Sequence, residues 1–282
     1  MSQSSRSSNR LIWLLIPIAF AAGVAVGVLG LLWATGGNST PSQDVGNVVP
    51  TLSLDDDSAE PTAETTEEMA EPTEEMADPT EEPTEEAADA ESASASSPER
   101  ALFRITTDES EARFKIDETL VGNEIVVVGT TNDIAGDIIV NFANPAESQL
   151  GEVAVSARTL KTDEEFRNQS IRGRILLSSQ DEYEFITFAP TEFVSLTSDP
   201  VSVGDTLEFE ITGNLTIRGN TNTVTFPTTV TVVSADRIEG FATTDVLYSD
   251  YGITIQAPPT VSNIGDVVTI ELDFVALLVD ES

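Results

Sequence analysis

The segment from Asp205 to Val233, DTLEFEITGNLTIRGNTNTVTFPTTVTVV, constrains the fold of this chain more than any other part of the sequence. Apolar and polar residues alternate along both of its arms, which is the period of a β-strand with one dry face and one wet face. Gly219-Asn220-Thr221-Asn222 separates the arms, and glycine and asparagine tolerate the backbone angles of a reversal. Each arm of about eleven residues would extend roughly 36 Å, which is longer than an ordinary strand. Long one-sided strands predict a curled sheet around a large apolar interior.

The same kind of pattern recurs through residues 102–279, which we predict to be one globular domain. Apolar segments bounded by Gly, Asn, Pro or Asp follow one another closely, and at least eight of them favour strands. Closely spaced strands of this kind predict an all-β antiparallel barrel or sandwich. One interruption, from Lys161 to Ser179, carries Thr162 with Glu165 three residues later. This capping-box pattern predicts a short helix over about residues 163–172.

The N-terminal part of the chain has the pattern of a membrane anchor. Leu11 to Ala34 runs for 24 residues without a charge, which is about 36 Å of helix and enough to span a bilayer. A cleaved signal peptide has a shorter apolar region, so we predict an uncleaved transmembrane helix over residues 11–34. Arg6 and Arg10 place residues 1–10 in the cytoplasm and everything after the helix outside it, as a single-pass protein of the cell membrane.

Small residues at Ala19, Gly23 and Gly27 share one face of this predicted helix. Such a row allows weak self-association of membrane helices, although glycine and alanine are common in these helices in any case.

Residues 36–98 have the composition of a disordered acidic linker. An imperfect Pro-Thr-Glu-Glu repeat dominates the segment, and 18 acidic residues lie between Asp44 and Glu91. Few apolar side chains are available to offset the entropy of the chain, so we predict disorder. A flexible coil of this length would have an r.m.s. reach of about 45 Å. We therefore expect a stalk that holds the domain away from the membrane.

The composition excludes several classes of function. The 282 residues include 49 acidic and 13 basic residues, and neither Cys nor His. A strongly acidic chain does not suit the phosphate backbone of nucleic acids. Without Cys or His, the usual acid-base shuttle and the commonest zinc ligands are missing, so we predict no metal and no cofactor. Carboxylates such as Glu208 and Glu210 alternate outward on an ordinary strand, and we predict that the protein is not an enzyme.

Residues 102–279 resemble the YceI-like, or polyisoprenoid-binding, family. The resemblance lies in the order and spacing of short pieces: Phe114-Lys115-Ile116-Asp117, Leu160-Lys161-Thr162, Arg167-Asn168, Ile171-Arg172-Gly173, Ile186-Thr187-Phe188, the stretch from Gly213 to Gly219, and Asp250-Tyr251-Gly252-Ile253. It implies a lipocalin-like antiparallel β-barrel of about eight strands outside the cytoplasm, whose apolar lumen holds a long isoprenoid or quinone-like lipid. Many members of the family have His where this chain has Arg218.

The inward positions of the predicted strands are the candidate ligand contacts. They are Phe114, Ile116, Ile138, Val140, Phe142, Val153, Val155, Phe188, Phe209, Ile211, Leu215, Phe226, Ile270, Leu272 and Phe274. Alternation alone does not distinguish side chains that line a lumen from side chains that pack against one another. The basic residues Arg167, Arg172 and Arg174 would either meet a polar headgroup or pair with neighbouring carboxylates.

Two functions remain at this stage. The first is a membrane-anchored extracytoplasmic protein that carries a long apolar lipid inside a β-barrel. The alternative is a surface-displayed structural or adhesion domain with a filled core and no ligand.

Overall fold

The structure of the protein is a computed structural model, which describes residues 39–54 and 99–279. Within these ranges it is almost entirely β-structure, in one antiparallel sheet of 13 strands rather than the eight or so that the sequence indicates. The strands are β1 (Arg100–Ile105), β2 (Glu111–Leu120), β3 (Asn123–Thr131), β4 (Ile134–Ala135), β5 (Asp137–Asn141), β6 (Gln149–Leu150), β7 (Val153–Ser156), β8 (Phe185–Ser195), β9 (Thr206–Ile217), β10 (Asn220–Ser234), β11 (Arg237–Leu247), β12 (Val261–Ser262) and β13 (Val267–Leu278).

The predicted long hairpin is confirmed as β9 and β10. The apolar positions of β9 are buried in strict alternation, and its 12 residues pair with β10 without a break. The reversal is tighter than the sequence indicates, because Ile217 already pairs with Asn220. Arg218 and Gly219 form the turn, with φ values of 52° and 73°. These positive angles are those of the turns that fit the twist of two-residue hairpins.

The sheet is curled and branches at β13. Hydrogen-bonded neighbours follow the order β4-β7-β8-β9-β10-β11-β13-β1-β5-β6. Strand β13 also pairs with β2 over Thr269 to Asp273, and β2 carries β3 on its other side. Strand β3 leads directly into β4, which pairs with β7 at the other end of the order. The apolar faces therefore turn toward a common interior.

A short helix interrupts the strands where the sequence predicts one. The α-helix α1 covers Glu165–Ser170, and a turn of π-helix follows over Ile171–Ile175. The capping box is not formed. Instead, Oδ1 of Asn168 accepts hydrogen bonds from the backbone N–H and the hydroxyl of Thr162, at 2.7 and 2.8 Å.

Part of the predicted linker is folded onto the sheet. We call residues 39–54 the strap. Its Val45 is 2% exposed and packs with Ala135 of β4 and Ala154 of β7. The backbone N–H of Leu52 donates to Oδ2 of Asp137 at 3.1 Å. The prediction of disorder over residues 36–98 is therefore wrong for residues 39–54.

A buried ion pair fixes the other end of the strap. Arg158 and Glu184 are 1% and 0% exposed and lie 3.0 Å apart. Glu184 accepts hydrogen bonds from the backbone N–H of Ser42, at 2.9 Å, and from its hydroxyl. Arg158 donates to the carbonyl of Thr40 at 3.3 Å. A buried charge is costly unless its hydrogen bonds are made, so the strap completes this pair.

The predictions for residues 1–10, 11–34 and the rest of the acidic segment, together with Ala19, Gly23 and Gly27, lie outside the described residues. Among the helices of residues 39–54 and 99–279, none has the length and hydropathy needed to cross a membrane.

Candidate functional site

The curled sheet encloses a cavity of about 980 Å³. This volume is many times the space that one water molecule needs. It lies at the upper end of the range for ligand pockets. The interior of the domain is therefore not filled by its own side chains, as a solid core would require.

Most of the predicted lumen residues lie in the wall of this cavity. Those that line it are Phe114, Ile116, Ile138, Val140, Val153, Val155, Phe188, Phe209, Ile211, Leu215, Phe226, Ile270, Leu272 and Phe274. Phe142 is the exception. It follows the last residue of β5, and its ring packs edge-on against Phe103 with the ring centroids 6.3 Å apart. The alternation along β5 does not continue past the end of the strand, so Phe142 is buried outside the wall.

Three phenylalanine rings of the wall lie over glycines of neighbouring strands. A Cβ atom at Gly129 would be 2.2 Å from the ring of Phe114, and one at Gly240 would be 2.3 Å from the ring of Phe274. A Cβ atom at Gly213 would be 2.6 Å from the ring of Phe188. Each glycine leaves room for a ring to lie along the wall, as in the aromatic rescue of strand glycines. The rings therefore take less of the cavity than they would if they projected into it.

The mouth of the cavity lies between two segments. The exposed residues among those that line the cavity all belong to residues 164–174 or residues 254–260. The first segment carries α1 and the π-helix, and the second connects the helical turn Tyr248–Tyr251 to β12. Arg218 bridges the residues beside these segments, because its guanidinium donates to the carbonyls of Ile175 and Gly252 at 3.3 and 3.5 Å.

The structure separates the three predicted headgroup arginines. Arg167 lines the cavity, but it pairs with Glu118 at 3.2 Å and with Asp163 at 2.7 Å.

Arg172 is 5% exposed, pairs with Glu165 at 3.0 Å and does not line the cavity. Hydrogen bonds from Asn168 and then from Arg172 lower the pKa of Glu165, which keeps this carboxylate charged. Arg174 is exposed at the mouth and forms no ion pair with any described residue.

Tyr251, like Arg174, places a polar group at the mouth end of the cavity. Its side chain is 1% exposed, and its hydroxyl has no hydrogen-bond partner within the described parts of the chain. Burial, and then the charge of Asp250, raise the pKa of Tyr251 to about 12. The phenol is therefore neutral at physiological pH.

Two of the three carboxylates in the cavity wall, Glu118 and Glu271, are paired with cations, whereas Glu164 is exposed at the mouth and forms no ion pair with a described residue. Glu118 contacts Arg167, and Glu271 lies 2.5 Å from Arg113 and 2.6 Å from Lys115. Lys115, and then Arg113, lower the pKa of Glu271 through their hydrogen bonds. Residues 39–54 and 99–279 contain no group of three acidic side chains placed to hold a metal ion.

Sequence reasoning did not find the second half of the mouth. Residues 254–260 form a loop without alternation, and the nearest signal was the neighbouring Asp250-Tyr251-Gly252-Ile253 piece. It also did not find Leu176 and Ile186, which enter the wall beside the π-helix and at the start of β8.

Comparison with known structures gives several similar folds. A polyisoprenoid binding domain from Saccharophagus degradans, implicated in plant cell wall breakdown, is 13% identical, with a TM-score of 0.50 over 63% of this chain and 98% of that chain. Burkholderia cenocepacia BcnA is 17% identical, with a TM-score of 0.46 over 61% of this chain and 98% of its own. A Campylobacter jejuni YceI protein is 17% identical, with a TM-score of 0.43 over 54% of this chain and 85% of its own.

No curated protein matches this chain. The structural likeness at these identities shows the fold alone. A family model for the YceI-like domain, however, matches residues 103–276, which is more than half of the chain. The chain therefore belongs to the YceI family.

Proposed function

We propose that this protein is a membrane-anchored binding protein that holds a long apolar lipid, isoprenoid or quinone-like, outside the cytoplasm. The observation that carries the proposal is the cavity of about 980 Å³, whose wall contains fourteen of the fifteen predicted apolar contacts. Burial of a slender apolar chain gains about 0.8 kcal/mol for each methylene. The name of the Saccharophagus degradans relative, a polyisoprenoid binding domain, supports the same class of ligand.

The polar end of the ligand is proposed to lie at the mouth. Arg174 lines the cavity there without a carboxylate partner among the described residues, so it is available to an anionic or strongly polar group. The interior beyond the mouth is largely apolar, which suits a hydrocarbon tail. We further propose that the domain binds its ligand without converting it, because Glu118 and Glu271 are held in ion pairs.

The proposal is tested by extraction of the full-length protein from its native membranes. Mass spectrometry of the organic extract should find a long-chain lipid in stoichiometric amount, and the emptied protein should take up geranylgeraniol or solanesol. An extract without lipid, together with no uptake of either alcohol, would refute the binding function.

The membrane anchor is tested separately. We expect the full-length protein to stay in the membrane pellet after an alkaline carbonate wash. We also expect residues 99–279 to be accessible to protease from the outer side of intact cells or spheroplasts. Release by carbonate would contradict the anchor and leave the lipid-binding proposal standing.

A further inference from the structure

The strap rules out a spacer role for most of the acidic segment between the membrane and the domain. Residue 54 belongs to the strap and residue 99 belongs to the domain, so the acidic segment of residues 55–98 joins two points of one folded body. The strap is held at both ends, by Ser42 on Glu184 and by Leu52 on Asp137, with Val45 buried between them. A segment whose two ends lie on the same body does not set the distance of that body from the membrane.

The distance is set instead by the residues before the strap. The apolar segment ends at Ala34, and Ser39 is the first residue of the strap. Five residue steps span at most roughly 18 Å when fully extended. This is well below the reach of about 45 Å for a linker that runs freely from residue 36 to residue 98.

The strap begins at the mouth end of the domain. Thr40 contacts Arg158, and Nε of Arg158 donates to the carbonyl of Ser178 at 2.7 Å. The next residue, Ser179, donates its backbone N–H to the carbonyl of Arg172, within the segment that forms one side of the mouth. The strap then runs away from the mouth toward Asp137.

The rim of the mouth exposes large apolar side chains. Phe166 of α1 is 61% exposed, and Val121 at the tip of the β2–β3 hairpin is 73% exposed. This tip belongs to the mouth, because the N–H of Val121 donates to the carbonyl of Thr260 at 2.8 Å. Apolar side chains at the rim of an anchored protein suit the boundary between headgroups and acyl chains.

We propose that the strap holds the mouth of the cavity against the lipid bilayer in which residues 11–34 are anchored. A lipid then passes between the bilayer and the cavity without crossing water. This inference rests on the membrane anchor of the proposed function. The occupant of the rim is the bilayer because the anchored segment enters the domain at the rim, within a few residues.

The absence of cysteine from the chain makes the test direct. Phe166→Cys and Val121→Cys place a single thiol at the rim. Val233→Cys is the matched control, because Val233 is 43% exposed near the β10–β11 turn at the opposite end. Each full-length variant is labelled with a thiol-reactive nitrobenzoxadiazole dye and reconstituted in phosphatidylcholine vesicles. These zwitterionic vesicles are used because Asp163, Glu164 and Glu165 flank Phe166 and would repel an anionic surface.

Nitroxide-labelled lipid should quench both rim labels at least about twofold more than the Val233 label, because rim residues reach roughly 5–10 Å into the interface. Equal quenching at the two ends, in protein that stays with the vesicles, would overturn this inference alone. Rim labels that are shielded from water but not quenched by lipid would mean that the rim faces protein, which would also overturn it. Loss of the protein from the vesicles in carbonate would overturn the anchor and this inference together.

A second set of variants tests the strap itself. Val45→Asp places a charge between Ala135 and Ala154 and should release the strap, so that quenching at Phe166 falls to the level at Val233. Gln43→Asp adds the same charge at an exposed strap position and should leave quenching unchanged. Val45→Ala, which keeps the site apolar, should give an intermediate value if Val45→Asp proves unstable. Unchanged quenching in both Val45 variants would overturn the role of the strap.

Discussion

Substitution of Gly129 by alanine should narrow the cavity without unfolding the domain. The new Cβ atom would lie 2.2 Å from Cε1 and 2.6 Å from Cζ of Phe114, and these ring atoms are its nearest neighbours. Carbon atoms pack at about 3.5 Å or more, so the ring has to recede by about 1.3 Å. Because Phe114 lies in the cavity wall, the ring moves into the cavity.

The substitution is expected to weaken ligand binding. A ring edge that advances by this amount displaces one or two methylene groups, which is about 0.8–1.6 kcal/mol of binding free energy. The dissociation constant should therefore rise about four- to fifteenfold. Gly129 does not have a positive φ, and alanine is preferred to glycine within a strand. The free energy of unfolding should accordingly change by less than about 1 kcal/mol.

The assay is displacement of N-phenyl-1-naphthylamine by geranylgeraniol, followed by fluorescence, with chemical denaturation measured in parallel. The control is Gly129→Ala combined with Phe114→Leu, which removes the clashing ring and should restore the affinity. The argument is refuted if Gly129→Ala leaves the affinity unchanged. It is also refuted if the unfolding free energy falls by several kcal/mol, because the ring would then be unable to yield.

Three further predictions follow from the mouth and the strap. Arg174→Gln should reduce the preference of the protein for farnesyl phosphate over farnesol about tenfold, since a charged hydrogen bond contributes about 1.5 kcal/mol or more. Arg237→Gln, which lies outside the cavity wall, should leave this preference unchanged. Equal preferences in the two variants would exclude Arg174 as a headgroup contact. The raised pKa of Tyr251, about 12, favours the neutral phenol in the folded state. The stability that this phenol contributes is fully present below about pH 10 and is lost as the pH rises toward 12, by about 1.4 kcal/mol per pH unit at most. Denaturant unfolding at high pH measures this loss, and Tyr251→Phe should abolish it. Burial, and then the charges of Asp44 and Glu184, raise the pKa of Asp133, so its contribution to stability is lost as the pH rises through that pKa. Asp133→Asn should raise the unfolding free energy at neutral pH, whereas Asp199→Asn at an exposed site should not. A lower melting temperature for Asp133→Asn would contradict this account.

The long strands were predictable from the alternation of apolar and polar residues, because one face of each strand is buried and the other is exposed to solvent. Leu207, Phe209 and Ile211 show this in β9, where the alternation in sequence and the alternation in burial coincide. Periodicity fails at Phe142, because the strand ends before this residue and no longer determines which way its side chain points. Periodicity also does not reveal a cavity, because the same alternation would describe side chains that fill the interior.

The strap escaped prediction for a different reason. Val45, Val48 and Leu52 have the spacing of one helical face, but Pro50 interrupts that pattern, and the segment forms a 3-10 turn only over Val45–Asn47. Their burial depends on the outer surface of β4 and β7, which comes together only in the folded domain. The pairing of arginines is equally invisible in sequence. Arg167 and Arg174 lie in the same short segment, yet only Arg167 is neutralised by a carboxylate from a distant strand.

The Arg158–Glu184 pair also determines which residues a truncated version of this protein must keep. The family match begins at residue 103, and a fragment trimmed to that boundary would lack Thr40 and Ser42, whose polar groups complete the pair. It would also leave Ala135 and Ala154 uncovered by Val45. We therefore expect a stable fragment to be discontinuous in sequence, with residues 39–54 joined to the family domain. Recombinant versions meant for crystallisation should retain residues 39–54, and a version with the intervening acidic residues excised should be the most compact form of the protein.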